Sequence, residues 1–490
     1  MRDNGNLGGE GGADAPGQES GRRANTWRFT RSERWILAGA LAVLLLLGGV
    51  IERRTALRTQ PMTDFGVFAC AAWAAHHGGN LYDATDWHGW HYQYPPMLAI
   101  LLVPFQQPVP SGIYPAPAIP RTRANTEWGY PLDGPSQYES LSERNVRFFW
   151  LVAGWYLLNV TLLVLSLHLL ACALEGVSPR SGPPSTAGER RRWWARRLVP
   201  ALVCAGSIGT DLSRGQVDIL MLFAIAGGLY LYTRHREWLA GACFAFPICV
   251  KLLPVMLLWP IWKWRPRLLG GLAAGLVLGL AVVPVVGFGF EGAVTAYRHW
   301  VDVLAKPMLG RGADTSRHEE LVRMDGTDNQ SVLASVHHVV NLGLPAEERP
   351  ADASPTERHL ALAIAVGALG VVLAAGGRRA DTSSRSVVLF AGLLVGNALL
   401  FSPVVHNYYF LLLLPLVAAL VDRHLESLAL RGVSLVSAVA LVLFAGTDAI
   451  TRLPFPNVDI RALGVPLLTL LGVMAVGVSL LRGAAEPSSR

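Results

Sequence analysis

The chain has 490 residues, of which 52% are hydrophobic and 16% are charged, and its formal net charge is +7. Soluble domains carry about 25% charged residues, so this composition excludes a chain of ordinary soluble domains. Repeated apolar runs long enough to cross a bilayer, about 20 residues as a helix, predict an all-α polytopic membrane protein. In such a protein an excess of Arg reports topology and contact with anionic lipids, and it does not indicate a nucleic-acid partner.

The N-terminal end is predicted to be a tail followed by a retained anchor. Residues 1–34 form a disordered cytoplasmic tail, since the first 30 are rich in Gly, Asn, Glu and Arg. The first apolar run, Trp35–Ile51, is followed by "IERRTALR", which holds no small-residue cleavage signal. About twelve apolar segments are predicted in total. They lie at about 35–51, 147–172, 198–210, 217–233, 239–250, 252–262, 268–290, 359–376, 387–401, 408–421, 429–446 and 462–481.

The distribution of basic residues predicts the topology. With the N-terminus in the cytoplasm, the Arg residues of the N-terminal tail fall on the cytoplasmic side, and so do five basic segments: "ERRRWWARR" (189–197), "RHRE" (234–237), "KWRPR" (263–267), "RRADTSSR" (378–385) and "DRH" (422–424). Two large loops, at about 52–146 and 291–358, are then extracytoplasmic. Residues 35–481 are thus predicted to be one transmembrane domain of the plasma (inner) membrane, with residues 482–490 as a second cytoplasmic tail.

The first outer loop contains a stretch with helical periodicity. The apolar residues of "DFGVFACAAWAAHHG" recur at helical spacing, which predicts an interfacial helix. Asp64 heads this stretch, and two roles stay open: a general base or, with Thr63, a helix N-cap. Tyr94 precedes Pro95-Pro96, so it is biased towards an extended conformation at a chain reversal. Residues 106–140, rich in Pro, Gly and Tyr, predict an irregular loop.

Ionisable groups at the ends of membrane helices are candidates for function, because they are expensive there. In "GTDLSRGQVDILMLF", Arg214 and Gln216 lie between two apolar segments. Arg214 either pairs with Asp211 or Asp218, or contacts a phosphate at the following helix N-terminus. Lys251 stands in an otherwise uncharged stretch, so it needs a partner or a polar cavity.

Two later segments bring polar groups to helix ends. "DGTDNQSVLASVHH" places Asn329 and Gln330 at a helix start, and "FSPVVHNYYFLLLLPL" places His406 and Asn407 at the outer end of two helices. No HExxH, DxD-type pair, P-loop or GxSxG occurs, and no spacing of His residues predicts a metal site. The five cysteines form no CxxC pair, which argues against a zinc site or a disulfide framework.

The ordered set of motifs resembles glycosyltransferase family 87. An outer-loop Asp, "YPP", "RGQ", "VKLLP", "DNQS" and "SPVVHNYY" follow one another between about residues 60 and 420. The resemblance implies a GT-C-type bundle of about twelve transmembrane segments with interfacial helices in its extracytoplasmic loops. It also implies an inverting hexosyltransferase that moves a sugar, mannose above all, from a polyprenyl-phosphate donor to a hydroxyl of a lipid or glycan acceptor. The early aspartate matches Asp64 as the base. The other matching positions, expected to bind the donor, are Tyr94, Arg214, Gln216, Lys251, Asn329, Gln330, His406 and Asn407.

A lipid-linked donor sets the chemical requirements of such a site. It needs no nucleotide pocket and no cofactor, and no metal ion is expected if Arg214 and Lys251 stabilise the leaving phosphate. The expected partners are the lipid-linked donor, the lipid or glycan acceptor and membrane lipids. The alternative is a polytopic secondary transporter or flippase of a lipid-linked or small polar substrate, which places its polar site near the midplane. Here the polar residues gather at the outer ends of helices, which favours the enzyme. The insert at 106–140, the stretch at 291–328 and the "HNYY" ending differ from the family pattern, so the acceptor is not carried over.

Overall fold

The computed structural model describes residues 29–57, 63–86, 90–106, 141–251, 259, 261–306, 324, 328–344, 348–350, 352–377, 383–426, 431–450 and 463–483. Within these ranges the chain forms helices and no β-strand, and one isolated antiparallel bridge joins Thr85 and His91. The all-α prediction is therefore confirmed. Most of the predicted N-terminal tail, nearly all of the insert at 106–140 and the end of the C-terminal tail lie outside the described residues.

Sixteen α-helices lie within the described ranges. Their bounds are α1 (Arg31–Arg54), α2 (Phe65–His76), α3 (Pro96–Leu101), α4 (Leu141–Glu175), α5 (Ala187–Val203), α6 (Ala205–Arg214), α7 (Asp218–Thr233), α8 (Glu237–Lys251), α9 (Pro266–Val277), α10 (Val283–Trp300), α11 (Val332–Val340), α12 (Pro355–Gly376), α13 (Ser384–Phe401), α14 (Leu414–Glu426), α15 (Arg431–Ile450) and α16 (Val465–Gly483). A 3-10 helix, Asn407–Leu413, leads into α14, and a π-helical turn, Leu278–Val282, joins α9 to α10.

Among the described residues, 7 stretches are long and apolar enough to cross a membrane. They are Arg31–Arg54, Val146–Glu175, Pro266–Ala305, Pro355–Gly376, Ser384–Phe401, Asn407–Glu426 and Val465–Arg482. Shorter apolar helices lie at Phe65–His76, Asp218–Thr233 and Val436–Thr447. The chain is therefore a multi-pass membrane protein, while the total of about twelve segments stays a prediction.

The third of these stretches differs from the sequence prediction at its C-terminal end. The predicted outer loop was to begin near residue 291, yet the chain continues as helix to Ala305. The apolar segment predicted at 268–290 ends next to Gly289, whose φ of 72° and ψ of 170° are not helical. A glycine tolerates this positive φ without steric cost. The helix therefore bends at Gly289 and then resumes.

The predicted basic segments converge at one end of the bundle. Buried or half-buried ion pairs link helices there that are far apart in sequence: Arg190–Glu33, Arg197–Glu175, Arg196–Asp422 and Arg385–Asp422. The Arg234 guanidinium reaches the Gly176 carbonyl at 3.3 Å at the same end. These pairs join the starts of α1, α5 and α13 to the ends of α4 and α14. The opposite ends of the same helices therefore lie together at the other end of the bundle.

Close backbone contact fixes the position of α8. A Cβ on Gly241 would lie 2.1 Å from the Leu268 carbonyl oxygen, and one on Gly271 would lie 2.0 Å from the Trp238 carbonyl oxygen. Small residues at helix crossings are the usual means by which membrane helices approach closely. The C-terminal residue of α8, Lys251, is thus delivered to the end of the bundle opposite the basic segments.

Candidate active site

Asp64 lies at the N-terminus of α2, where the chain is held against the end of α6. The Asp64 backbone N–H donates to the Arg214 carbonyl at 2.8 Å, and the Thr63 hydroxyl donates to the same oxygen at 2.8 Å. Within the described residues the Asp64 side chain makes no capping hydrogen bond to α2, whereas Thr63 Oγ1 accepts from the Phe65 N–H at 3.3 Å. The sequence left Asp64 as either a general base or, with Thr63, a helix cap, and in the structure Thr63 makes the capping contact. The Asp64 carboxylate is therefore available for another function.

Gly215 makes this contact possible. It ends α6 in the left-handed conformation, with φ 68° and ψ 38°. A Cβ at this position would lie 2.8 Å from Phe65 Cβ and 3.0 Å from Thr63 Oγ1. The Gly215 carbonyl also accepts a hydrogen bond of 3.0 Å from the Trp155 indole N–H. Only a residue without a side chain fits between α6 and α2 here, so the "RGQ" turn packs directly beneath Asp64.

The next residue in this turn holds the carboxylate itself. The Gln216 side-chain amide donates to Asp64 Oδ2, and Arg214 Nη1 lies 3.7 Å from the same oxygen. The Asp64 side chain is 13% exposed and the Arg214 side chain 43% exposed. Burial raises the pKa of Asp64 above its usual value, and Arg214 and Gln216 oppose that rise. A carboxylate that is desolvated and only loosely paired is well suited to accept a proton.

Lys251 forms an ion pair with Asp218 inside the bundle. Its ammonium donates to both carboxylate oxygens of Asp218, at 2.9 and 2.8 Å. It also lies over aromatic rings, 4.0 Å from the ring centroid of Tyr409, 5.4 Å from that of Tyr408 and 5.6 Å from that of Tyr94. The Lys251 side chain is 8% exposed and that of Asp218 is fully buried. The positive charge of Lys251 is thus compensated inside the protein, where it orders a cluster of tyrosines.

The "DNQS" segment forms a brace, a set of hydrogen bonds from Asn329 and Gln330 to the backbone of residues 403–405, which precede His406. Asn329 Oδ1 accepts from the backbone N–H of Ser331 and of Val405, each at 3.1 Å, and its Nδ2 donates to the Pro403 carbonyl at 3.1 Å. The Gln330 N–H donates to the Val405 carbonyl at 2.6 Å. Both polar atoms of the Asn329 side chain are therefore engaged by backbone. The helix start predicted here is confirmed, and Ser331 caps it.

His406 and Asn407 lie beside this brace. His406 Nδ1 is 3.2 Å from the Asp328 carbonyl oxygen, and the His406 ring stacks on Tyr408. Burial, with the nearby charge of Arg214 as a further cause, lowers the pKa of His406 to about 4. The imidazole is therefore neutral near pH 7, with Nδ1–H donated to the carbonyl and Nε2 left as an acceptor. The Asn407 amide reaches Thr210 Oγ1 at 3.5 Å.

The motifs that suggested a family are thus assembled around one end of the bundle. The model of glycosyltransferase family 87 matches residues 92–403. This match covers more than half of the chain. The chain belongs to glycosyltransferase family 87. No curated protein and no solved structure matches it.

Family 87 membership makes the chain a membrane glycosyltransferase and decides against the transporter alternative. The matched region contains most of the candidate residues: Tyr94, Arg214, Gln216, Lys251, Asn329 and Gln330. Asp64 lies before it, and His406 and Asn407 lie after it. The fold connects these outlying residues to the matched region through the contacts of Asp64 with Arg214 and Gln216 and of His406 with Asp328.

Two buried carboxylates of this family 87 chain were missed by the sequence reasoning as site residues. Asp86, 1% exposed, packs against the first turn of α2, where a Cβ on Gly66 would lie 3.4 Å from Asp86 Cβ. Asp211 is fully buried, and within the described part of the chain neither of its oxygens has a hydrogen-bond partner. The charges of Asp218 and Lys251 lie close enough to act on it. Asp86 follows an aperiodic stretch, which gave no signal, and Asp211 was considered only as a partner of Arg214.

The expectation that the enzyme works without a metal ion stays a prediction. Among the described residues, no group of three or more His, Cys, Asp and Glu side chains lies close enough to hold a metal ion. Three carboxylates in this region each accept a hydrogen bond from a different kind of donor. Asp64 accepts from the Gln216 amide, Asp218 from the Lys251 ammonium and Asp86 from the Trp90 backbone N–H.

Proposed function

We propose that this family 87 glycosyltransferase moves a hexose, mannose as the resemblance implies, from a polyprenyl-phosphate donor to a hydroxyl of a lipid or glycan acceptor, with inversion. The observation that carries the proposal is the state of Asp64. Its side chain is 13% exposed, its carboxylate accepts a hydrogen bond from the Gln216 amide, and a half-exposed guanidinium lies beside it. This combination places a proton acceptor beside a cation whose side chain is 43% exposed.

The reaction follows from these two groups. Asp64 takes the proton of the acceptor hydroxyl while that oxygen attacks the anomeric carbon from the face opposite the phosphate. The bond from the anomeric carbon to the phosphate oxygen breaks, and its electron pair leaves with the phosphate. The half-exposed Arg214 is the cation that binds this phosphate, because the charge of Lys251 is already compensated by Asp218. Lys251 then contributes by ordering Tyr94, Tyr408 and Tyr409.

The remaining candidate residues take secondary roles. A neutral His406 offers Nε2 as an acceptor, which suits a sugar or acceptor hydroxyl and does not suit a phosphate oxygen. Asn329 and Gln330 hold the backbone of residues 403–405 and so position His406 and Asn407. No cofactor is required, because the lipid-linked donor carries the activated sugar.

The proposed topology follows from the position of the basic segments relative to the site. The site lies at the end of the bundle opposite the ion-paired basic segments. Basic segments favour the cytoplasmic side, so both termini are assigned to the cytoplasm and the site to the extracytoplasmic face of the plasma (inner) membrane. A cysteine introduced at the exposed Asp83 should react with a membrane-impermeant maleimide added outside intact cells. Reaction only after permeabilisation would reverse the assignment.

The base assignment is tested by transfer of radiolabelled mannose from polyprenyl phosphate in membranes that contain the protein. Asp64→Asn should reduce transfer by about 10²–10⁴-fold, the usual contribution of a general base. Asp83→Asn is the matched control, since Asp83 is an exposed carboxylate of the same outer loop, where it accepts a hydrogen bond from the Asn80 amide at 2.8 Å. Equal transfer by Asp64→Asn and Asp83→Asn would refute the base assignment. Absence of transfer by the wild type with this donor, together with transfer from another prenyl-linked sugar, would correct the sugar alone.

A further inference from the structure

Two turns at the end of the bundle that carries the basic segments have an uncommon backbone conformation. His235 lies between α7 and α8, Trp264 lies before α9, and their φ angles are 60° and 51°. Among the described residues these two are the non-glycine residues with a positive φ. A bulky side chain rarely adopts this conformation, and residues held in it collect at functional sites. The two turns are therefore candidates for a role beyond chain reversal.

The two turns lie side by side. Arg265 Nη1, in the second turn, is 3.7 Å from Glu237 Oε1 at the start of α8. A Cβ on Gly271 would lie 2.0 Å from the Trp238 carbonyl oxygen, and one on Gly270 would lie 2.8 Å from Cη2 of the Trp238 ring. The starts of α8 and α9 are thus in direct contact, and the two turns form one surface at this end of the bundle.

Each turn presents one exposed tryptophan and one exposed arginine. Trp238 is 56% exposed and Trp264 is 85% exposed, so the positive φ of Trp264 does not serve to bury its ring. Arg236 and Arg267 are exposed as well, and within the described ranges neither guanidinium forms a salt bridge or a hydrogen bond. Glu237 is the only acidic residue in "RHREW" and "KWRPR". The surface formed by Arg236, Trp238, Trp264 and Arg267, the Arg–Trp surface, therefore carries a net positive charge.

Exposed aliphatic side chains adjoin the Arg–Trp surface. They are Leu239, Ile261 and Leu269, and Leu269 already belongs to Pro266–Ala305, a stretch that can cross a membrane. Arginine binds phosphate through two parallel hydrogen bonds, and tryptophan prefers the membrane–water interface. Charged, aromatic and aliphatic groups thus follow one another as do the phosphate, the glycerol region and the acyl chains of a phospholipid. A nucleic acid or an acidic protein would not account for the aliphatic edge.

We propose that the Arg–Trp surface binds the phosphate group of an anionic phospholipid from the adjacent leaflet. Arg236 and Arg267 contact the phosphate, and Trp238 and Trp264 lie at the level of the headgroups. The opposite end of the α7–α8 hairpin carries the ion pair next to the candidate active site. A lipid bound at the turns therefore anchors the hairpin that reaches this site. The binding role does not depend on which sugar is moved or on which residue is the base.

Binding is measured on the purified full-length protein in uncharged detergent micelles, into which phosphatidylglycerol or phosphatidylcholine is mixed. Bound lipid is counted by native mass spectrometry, and the thermal unfolding midpoint is recorded in the same samples. Phosphatidylglycerol should bind and raise the midpoint, because a ligand that binds only the folded state stabilises it. Phosphatidylcholine and inorganic phosphate should raise it much less.

Two double variants test the position of the site. Arg236→Gln/Arg267→Gln should weaken phosphatidylglycerol binding by about 10–30-fold, the usual contribution of two basic residues at an anionic surface. Arg191→Gln/Arg192→Gln is the matched control, since it removes the same charge from exposed positions of α5 at the same end of the bundle. The control should bind phosphatidylglycerol as the wild type does.

Trp264→Gly separates a binding role of this residue from a structural one. Glycine adopts a positive φ without steric cost, and the Trp264 ring is exposed. The unfolding midpoint in micelles without anionic lipid should therefore not fall, whereas phosphatidylglycerol binding should weaken. A lower midpoint together with unchanged binding would show that the ring serves the fold, and would overturn its place in the site.

The remaining outcomes are equally decisive. Equal weakening by the two double variants would show a general attraction between basic residues and an anionic surface, and would overturn the site. Stabilisation by inorganic phosphate as strong as that by phosphatidylglycerol would identify a free phosphate as the ligand and would also overturn it. None of these measurements involves sugar transfer, so their failure is distinct from a failure of the base assignment.

Discussion

Gly215→Ala should damage the site without touching any group that takes part in the chemistry. The left-handed conformation at this position costs an alanine about 1–2 kcal/mol relative to glycine. The new Cβ would lie 2.8 Å from Phe65 Cβ, whereas carbon atoms pack best at about 3.5–4.0 Å. The start of α2 must therefore move by about 1 Å, and Asp64 moves with it away from Gln216. A misplacement of this size lowers a catalytic rate by about 100-fold.

The assay is mannose transfer in membranes, combined with the thermal unfolding midpoint of the purified protein in detergent. Gly209→Ala is the matched control, because it lies in the same helix and no described atom is within 4 Å of its added Cβ. It should retain full transfer and gain up to about 1 kcal/mol of stability from helix propensity. Full transfer by Gly215→Ala would refute the reasoning that the α6–α2 contact positions Asp64.

Three further outcomes are expected. Lys251→Met leaves Asp218 buried and unpaired, so it should lower the free energy of unfolding by about 3–5 kcal/mol. The double variant Lys251→Met/Asp218→Leu should recover most of that loss, because no buried charge is then left unpaired. Additive losses of the two substitutions in thermal unfolding would contradict this. Asn329→Ala orphans the Val405 N–H and should destabilise by about 2–4 kcal/mol, while Asn329→Asp keeps the acceptor and should lose less; equal midpoints would argue against the brace. Because burial raises the pKa of Asp64, transfer should decline on acidification at a pH above the usual Asp value of about 3.9. An acid limb of the transfer rate near pH 3.9 would refute the assignment. Because the pKa of Asp64 is raised on folding, the folded state binds this proton more tightly than the unfolded chain. Protonation of Asp64 therefore stabilises the fold at low pH, and this stabilisation is lost as pH rises from the unfolded to the folded pKa.

The parts of the fold that could be predicted are those set by local pattern. The apolar periodicity predicted the helix after Asp64, and the charge distribution predicted that the basic segments share one end, where Arg190 and Arg197 now pair with Glu33 and Glu175. The need of Lys251 for a partner followed from the cost of a lone charge in an apolar segment. These inferences depend on residues close in sequence or on the membrane itself.

The choice of partners could not be predicted, because it depends on packing between distant segments. From the sequence, Asp211 or Asp218 was the expected partner of Arg214. In the structure Arg214 lies against Asp64, 150 positions earlier, and Asp218 pairs with Lys251. This exchange follows from the Gly215 turn, which brings α2 onto α6.

The roles of polar motif residues were also beyond the sequence. Asn329 was expected to contact the donor by resemblance, and the structure engages its side chain in backbone hydrogen bonds across more than seventy residues of chain. A motif shows that a residue is constrained, but the constraint can come from folding as well as from a ligand. Its role in donor binding therefore stays a prediction.

The Lys251–Asp218 pair also bears on how the protein enters the membrane. The two residues sit at the far ends of α7 and α8, which form a helical hairpin closed by a tight turn at His235. Inserted separately, each charged side chain would add about 2.5–3.5 kcal/mol to the cost of placing its helix in a bilayer. Inserted together as a hairpin, they enter as a neutral pair. The contact that orders the tyrosines of the mature site would then already have formed during biogenesis, and variants that break it should accumulate as poorly inserted, rapidly degraded protein.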